Sequence, residues 1–414
     1  MSDNIEPGGY IIKKAELSNF DGSKKFTIGD LIDSIEIEEN IVNVSIGATI
    51  SIIDTANLID SFPIIGEEYL KLEIEDFFGK VQEYDFHIYS VDNLITNDPG
   101  TVQIYVLRLF SKDFIKTETV EICQSYKGKL SESVKSIYDE RFVSGKNIEI
   151  EETYGEHTLV VPNLTPIETI LLMAAKSYSD VYKSSNYLFF ERKDKYFYGT
   201  HEKLFELGQK TEKKYFYGTV NADVENKPAQ MRTIQAFSLN KRFNLLNEMR
   251  SGAAISRIIK LDLATKTHEN IDYKHYEKVK DYKHTDSVIR NYHTTKFNEE
   301  FFAEENITNK YMVYQDSTRQ DQPYQDITSQ RYSASYYLNA IGMYVEFFGE
   351  NDLNLGDMIR LELKDLSAAN DVKDGHKTLS GLYMIANIKS VYDGDRWKMT
   401  VGLLKDSLKG EGAE

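Results

Sequence analysis

The stretch Phe62-Pro63-Ile64-Ile65-Gly66-Glu67-Glu68-Tyr69-Leu70-Lys71-Leu72-Glu73-Ile74-Glu75-Asp76 opens on a Pro/Gly turn and then alternates strictly. Leu70, Leu72 and Ile74 share one side of an extended chain, while Lys71, Glu73 and Glu75 share the other. A period of two with one apolar face predicts a half-buried strand. The pattern returns near the C-terminus as Gly356-Asp357-Met358-Ile359-Arg360-Leu361-Glu362-Leu363-Lys364-Asp365. With one residue deleted, Leu70, Leu72 and Ile74 fall on Ile359, Leu361 and Leu363, and the charged positions match in place.

The echo continues downstream. Phe86-His87-Ile88-Tyr89-Ser90-Val91 answers to Tyr383-Met384-Ile385-Ala386-Asn387-Ile388. Tyr105, Leu107 and Leu109, closed by Lys112-Asp113, answer to Met399, Val401 and Leu403, closed by Lys405-Asp406. Three strands in one order at similar spacing predict a β unit used twice.

Composition narrows the class. A chain of 414 residues has room for two to four domains. Acidic residues outnumber basic ones by 66 to 49, a formal charge of -17. That argues against a phosphate-binding surface as the main activity, because duplex binding needs clustered Lys and Arg. The longest apolar run, Ile170 to Ala175, is too short to span a bilayer. The opening Met1-Ser2-Asp3-Asn4-Ile5-Glu6 lacks a basic region followed by an apolar one, so no secretory signal is expected. A single cysteine, Cys123, cannot form an internal disulfide, which fits folding in a reducing cytoplasm. The 28 tyrosines and 21 phenylalanines suit β-structure and large interfaces.

Along the chain, strands are expected over 10–20, 26–28, 32–39, 44–53, 66–76, 81–95 and 101–111, with Asn97-Asp98-Pro99-Gly100 joining the last two. Residues 1–112 thus read as one all-β unit of barrel or sandwich type. The texture then changes. Phe114 to Cys123 and Lys129 to Arg141 have helical spacing. The clearest helix follows Pro162-Asn163-Leu164: Thr165 is its N-cap, Pro166 its first residue, and Glu168 completes a capping box. Its expected buried stripe is Ile167, Ile170, Leu171, Ala174, Ala175 and Tyr178. A hairpin is expected around Asp194, so 113–225 reads as a mixed α/β unit. A helix over 243–250, a strand over 254–263, a polar irregular segment over 266–327, a helix over 328–341 and a strand over 343–348 precede the second copy of the β unit. The fold class expected is α+β, mainly β.

Candidate chemistry is sparse. His268, His275, His284 and His293 recur in a polar segment at spacings that fit no metal site, which would want helical i, i+4 ligands or a tight turn. No Gly-x-Ser-x-Gly elbow, phosphate-binding loop or dinucleotide glycine pattern occurs. Cys123 has no local base and reads as a buried small residue. Carboxylate pairs such as Glu67-Glu68 and Glu151-Glu152 are expected by chance in so acidic a chain. No catalytic, cofactor-binding or metal-ligating residue is therefore assigned.

Taken together, several motifs resemble the central hub proteins of contractile phage tails and related injection machines. They are Ile53-Asp54, Asn57-Leu58 and Phe62-Pro63-Ile64-Ile65-Gly66-Glu67-Glu68, then Pro162-Asn163-Leu164-Thr165-Pro166, then Ser251-Gly252-Ala253. The closing set is Gly349, Leu355-Gly356-Asp357, Leu379-Ser380-Gly381-Leu382-Tyr383-Met384-Ile385 and Lys405-Asp406-Ser407. The resemblance implies two tube-type antiparallel β-barrel or sandwich domains, the first at 1–112 and the second split between 226–265 and 340–408. It implies a mixed α/β domain at 113–225, a polar insertion at 266–339 with a helix near its end, and a disordered tail at 409–414. It implies a structural, non-enzymatic homotrimer in the virion tail baseplate, made in the host cytoplasm, without cofactor and without stable membrane insertion. Tail tube rings would lie above it and a trimeric cell-puncturing spike below. A baseplate wedge or tape-measure protein is a further candidate partner, and DNA would transit without specific binding. Two other classes stay open at this stage: a tail-associated peptidoglycan hydrolase, marked by a catalytic pair in a cleft, and a carbohydrate-binding module, marked by an exposed aromatic row.

Overall fold

The apolar alternation of the N-terminal region becomes antiparallel sheet. A computed structural model describes residues 5–97, 102–208, 211, 213–217, 227–241, 244–286, 288–289, 295–307, 309–315, 324–363 and 378–408. The first region contains β1 (Ile11–Ser18), β2 (Lys25–Thr27), β3 (Ile32–Asn40), β4 (Gly47–Asp54), α1 (Leu58–Ser61), β5 (Tyr69–Glu75), β6 (Val81–Asn97) and β7 (Val102–Ser111). Then come α2 (Lys112–Glu118), β8 (Ile122–Gly128), α3 (Leu130–Arg141), β9 (Asn147–Ile150), β10 (His157–Leu164), α4 (Pro166–Lys176), β11 (Tyr187–Glu191), β12 (Lys195–Thr200), α5 (His201–Gly208) and β13 (Lys214–Tyr217). The chain continues through α6 (Lys227–Met231), β14 (Ala236–Lys241), α7 (Leu245–Ser251), β15 (Ile255–Asp262), β16 (Thr267–Lys274), α8 (His275–Lys278), β17 (Val288–Ile289), α9 (Thr295–Phe301), β18 (Lys310–Gln315) and α10 (Tyr324–Leu338). It closes with β19 (Ile341–Phe348), β20 (Met358–Leu363), β21 (Gly381–Asp393), β22 (Arg396–Lys405) and β23 (Ser407–Leu408). The fold is α+β and mainly β.

One large sheet dominates, in the order β14-β19-β22-β21-β3-β4-β7-β6-β5-β1-β2. Within it the same five-strand unit occurs twice: β3-β4-β7-β6-β5, and β14-β19-β22-β21-β20. The central registers match as well as the order, although β6 has an extra irregularity between Asp92 and Ile95 and β14 one between Leu239 and Lys241. Leu70 faces Phe86 and Leu72 faces Tyr84, just as Ile359 faces Tyr383 and Leu361 faces Gly381. Ile88 pairs with Leu109 as Ile385 pairs with Leu403. Ile50 pairs with Leu107 as Val345 pairs with Val401. A β-bulge follows Ile88 in β6 and follows Ile385 in β21, at Tyr89 and Ala386 respectively. Bulges re-aim a strand and increase its twist, so a bulge at one place in both copies marks a shared bend.

The alternation decides the core. Leu70, Leu72, Ile74, Ile359 and Leu361 are fully buried, in one apolar core that joins both units. Each β5-type strand starts from a left-handed glycine, Gly66 at φ 96° and Gly356 at φ 76°, a conformation costly for any residue with a Cβ. The Glu68 carboxylate accepts the N–H groups of Ile65, Gly66 and Glu67, and the Asp357 carboxylate accepts that of Asn354. In each case an acidic side chain satisfies the turn's backbone donors.

The capped helix forms as expected. Thr165 accepts from Glu168 N–H, Glu168 accepts from Thr165 N–H, and Pro166 occupies the first turn of α4. Its buried stripe includes Met173 and excludes Leu171 and Ala175, which are exposed. Several expectations are corrected. The helix expected over 114–123 ends at Glu118, and Cys123 lies exposed on β8 rather than buried. Glu75, placed on the solvent face, is buried beside Lys13. The strand over 255–262 forms, but between β16 and β18 in a separate sheet. The segment read as irregular therefore contains strands, because β15 offers an edge on each side, taken by β16 and by β18. The closing dipeptides do not superpose: Ser111 and Lys405 are the equivalent last positions of β7 and β22, so Lys112-Asp113 and Lys405-Asp406 are one residue out of step. The turn at 98–100, His293 and the tail at 409–414 lie outside the described residues.

Candidate functional site: the joint between the two repeats

With a repeated sheet and no assigned catalytic group, the functional geometry lies where the copies meet. β3 of the first unit pairs antiparallel with β21 of the second, from Asn387 opposite Asn40 to Asp393 opposite Ser34. On the core side Ile35, Ile37, Ile388 and Tyr392 are buried. On the opposite face Lys389 Nζ lies 2.5 Å from Glu36 and 3.5 Å from Glu38, crossing the joint. The same face carries Arg108 with Asp92 at 2.5 Å and Lys398 with Glu346 at 3.3 Å. Three basic side chains of this face are thus neutralised by acidic neighbours on it.

A strut from the α/β region pins the joint. The β11–β12 turn inserts Lys193 into the core side, where its ammonium donates to the Leu353 carbonyl at 2.8 Å and lies 3.7 Å from Glu39 of β3. Both side chains are almost fully buried. Desolvation pushes the Glu39 carboxyl above its ordinary range, against the pull of Lys193 and Lys146. Beside it Glu191 accepts from Ile46 N–H and from Lys146, 2.7 Å away. One hairpin therefore touches the first unit at Glu39 and Ile46 and the second at Leu353. Arg192 adds a bond to Asp357 at 2.8 Å.

The residues singled out in sequence are dispersed differently. Glu68 is buried in its turn while Glu67 is exposed; Glu151 accepts from Thr200 while Glu152 is exposed and pairs with Lys129. Neither pair converges on a cleft. His268 lies on β16, whereas His275 and His284 meet His201, Glu202 and Asp406 around a small cavity at the end of the second unit. Burial, with the nearby His284 charge, pulls the His275 imidazole down to about 3. It accepts or donates at Ser333 and stacks on Tyr337. Burial also opposes charge on His284, but Asp406 at 2.7 Å outweighs it and raises the imidazole's proton affinity. Among the described residues no group of three or more His, Cys, Asp or Glu stands ready to hold a metal ion. The strut, the shared bulge and this cavity gave no sequence signal, since each depends on contacts between distant segments.

No family model matches the sequence, and no curated protein matches it. Solved structures do. A tail protein from Neisseria meningitidis MC58 superposes with a TM-score of 0.56 at 10% identity, covering 96% of this chain and 97% of that one. The 43 kDa tail protein of prophage MuSo2 from Shewanella oneidensis gives 0.57 at 11% identity, covering 95% and 99%. The chain has the fold of these phage tail proteins over nearly its whole length.

Proposed function

We propose that this chain is the structural hub of a contractile tail baseplate, a homotrimer that adapts a sixfold tail tube to a threefold spike. The observation that carries the reading is the five-strand unit used twice, with one strand order, matching core register and a shared bulge after Ile88 and Ile385. A closed ring needs the same surface presented at each step. Two copies per chain give six in a trimer, so one face can imitate a sixfold ring while the rest of the molecule stays threefold. The tail-protein fold supports the setting.

The domain division follows the sheets: a first tube-type unit within 1–112, an α/β region within 113–225 that supplies the strut, and a second unit built on 236–241 and 341–405. Partners on this reading are tube rings above and a trimeric spike below. The sheet face turned from the core lines the channel, where paired charges let DNA pass without arrest, since unpaired Lys and Arg would bind phosphate and release counterions. The work is geometric, without catalytic residue, metal or cofactor. Light scattering of the purified protein tests this: three times the mass of one chain is expected, and a monomer at micromolar concentration, alone or with a spike, would sink the proposal.

A further inference from the structure

The segment from His275 to Ile289 crosses the end of the second unit as a strap. It leaves β16, runs through α8 and finishes as β17, which pairs with β23 in a small sheet apart from the large one. Apolar burial does little to hold it: from His275 to Asp286 the one buried apolar side chain among the described residues is Val279. Charge and hydrogen bonds hold it instead. Asp286 pairs with Lys405 at 3.1 Å, and His284 pairs with Asp406 at 2.7 Å, so two ion pairs cross between the strap and the end of β22. Lys405 is 0% exposed and Asp286 6%. Asp406 also accepts from the Thr285 N–H and hydroxyl, and Asp286 accepts from the Leu382 N–H. Gly381, at φ 131°, lies against the first pair, and a Cβ there would collide with both charged groups. At the equivalent end of the first unit Ser111 stands where Lys405 stands, so that end lacks the lysine.

Geometry sets the protonation states. His284 Nδ1 faces the Asp406 carboxylate, and its Nε2 lies 2.7 Å from the Val279 carbonyl. Both partners accept, so both nitrogens carry a proton and the ring is a cation. His275 has the opposite demand. It stacks on Tyr337 with ring centroids 3.8 Å apart, holds Nδ1 2.9 Å from the Ser333 hydroxyl, and shares a cavity with His284. A charge on His275 would sit beside the charge already there. We propose that the strap is a proton-operated catch, docked on the second unit while His284 is charged and His275 neutral, and released when either ring changes state. Release frees the main chain of β23 and uncovers Lys405 and Asp406. The inference does not depend on the hub reading.

The two rings govern opposite limbs. Burial opposes charge on His284, but the Asp406 hydrogen bond and charge outweigh it and raise its pKa above the ordinary 6.5. Its contribution to docking is complete below about 6.5 and is lost as pH rises through the docked value. Burial, with the His284 charge, lowers His275 to about 3, so docking weakens as pH falls below 6.5. Docking should therefore peak near 6.5. The other groups facing the cavity do not imitate this. Against the cost of burial, their histidine neighbours hold Asp406 and Glu202 of α5 below the usual carboxylate range, so these act only in stronger acid. Burial lowers the Lys405 ammonium, whose titration towards 10.5 favours docking and opposes an alkaline loss. His201 lies on α5, 3.2 Å from Glu202, and belongs to the body in either state. Burial and Glu248 raise the Tyr337 hydroxyl, which stays neutral, and the Tyr282 hydroxyl meets that of Tyr273. Lys283 of the strap is exposed.

Hydrogen exchange read by mass spectrometry on the full chain from about pH 5 to 9, corrected for the chemical exchange rate, tests the catch, because it resolves local release from global unfolding. Peptides over 279–289 should be best protected near pH 6.5 and lose up to about tenfold in protection per pH unit on either side. Peptides over β5 should show no such peak. His284→Gln should lower strap protection and abolish the alkaline limb. His275→Phe, which keeps a ring against Tyr337, should abolish the acid limb and keep the alkaline one. Variants that lower protection at every pH and leave both limbs in place would overturn the assignment to these rings. Equal strap protection at pH 6.5 and 8.5 in the unaltered protein, or strap and β5 exchanging in step, would overturn the catch itself.

Discussion

Lys193→Met removes one partner of the most buried ion pair among the described residues. The ammonium is 1% exposed, and so is the Glu39 side chain 3.7 Å away, whose oxygens make no hydrogen bond. Losing the lysine leaves a buried carboxylate uncompensated, which costs about 3–5 kcal/mol. It also strands the Leu353 carbonyl, which accepts from Lys193, for about 1 kcal/mol more. Adding Glu39→Met replaces the pair by apolar side chains of similar bulk and should recover most of the first loss. The sign with pH is fixed by burial. Desolvation already raises the Glu39 pKa above the ordinary 4.5, and loss of Lys193 raises it further. A group whose folded pKa is raised stabilises the fold below its unfolded pKa, and that contribution is lost as pH rises through the folded value. The single variant should therefore be least impaired near pH 4.5 and worsen as pH rises above it. Urea melts of the wild type, both singles and the double across pH 4.5–8 measure this. A Lys193→Met cost below about 1 kcal/mol, or no recovery in the double variant, would show that the strut does not hold the joint.

Other outcomes follow from the same contacts. Leu72→Asp and Leu361→Asp each bury an unpaired carboxylate at a fully enclosed site and should cost several kcal/mol, against about 1 kcal/mol or less for Lys71→Ser and Arg360→Ser; equal thermal shifts for all four would mean the strand faces are misassigned. Thr165→Ala should cost about 0.5–2 kcal/mol by removing the α4 cap, and a smaller loss in thermal melts would show that Glu168 alone suffices. His275, held neutral by burial down to about pH 3, makes the fold less stable as pH falls below 6.5, because the unfolded imidazole takes the proton first; in acid melts His275→Phe should flatten that limb, and an unchanged slope would refute it. The purified protein should bind duplex DNA only weakly at ~150 mM salt, since Lys389, Arg108 and Lys398 are paired on one face; tight retention of duplex in a filter assay would contradict that.

Much of the fold was legible because half-buried strands write their register into the sequence. Leu70, Leu72 and Ile74 aligned with Ile359, Leu361 and Leu363 from periodicity alone, and the pairing partners Phe86 and Tyr383 show that alignment to be the structural one. The Thr165–Glu168 cap was equally local. What failed was non-local. Cys123 looked apolar and buried, but among the described residues β8 pairs only with β10, and the thiol is exposed. The strand Thr267–Lys274 has only Ile271 and Tyr273 as apolar residues and pairs along its whole length with β15, an edge its own residues do not announce. Lys112-Asp113 and Lys405-Asp406 matched as letters yet differ by one step, since a two-residue identity is weaker than a bulge in fixing register. Lys193 could not be found at all from sequence, because only the folded turn carries it to Glu39.

On the proposed hub function, the two sheet units of one chain and those of two further copies stand around a single axis. Electron-microscopy averages of the purified protein viewed down that axis measure it most directly. The expected result is a closed ring whose sheet layer carries strong sixfold modulation over a true threefold, with alternate lobes assignable to the units containing β6 and β21. A ring of any other order, or a threefold particle in which the two units lie at unequal radius, would contradict it.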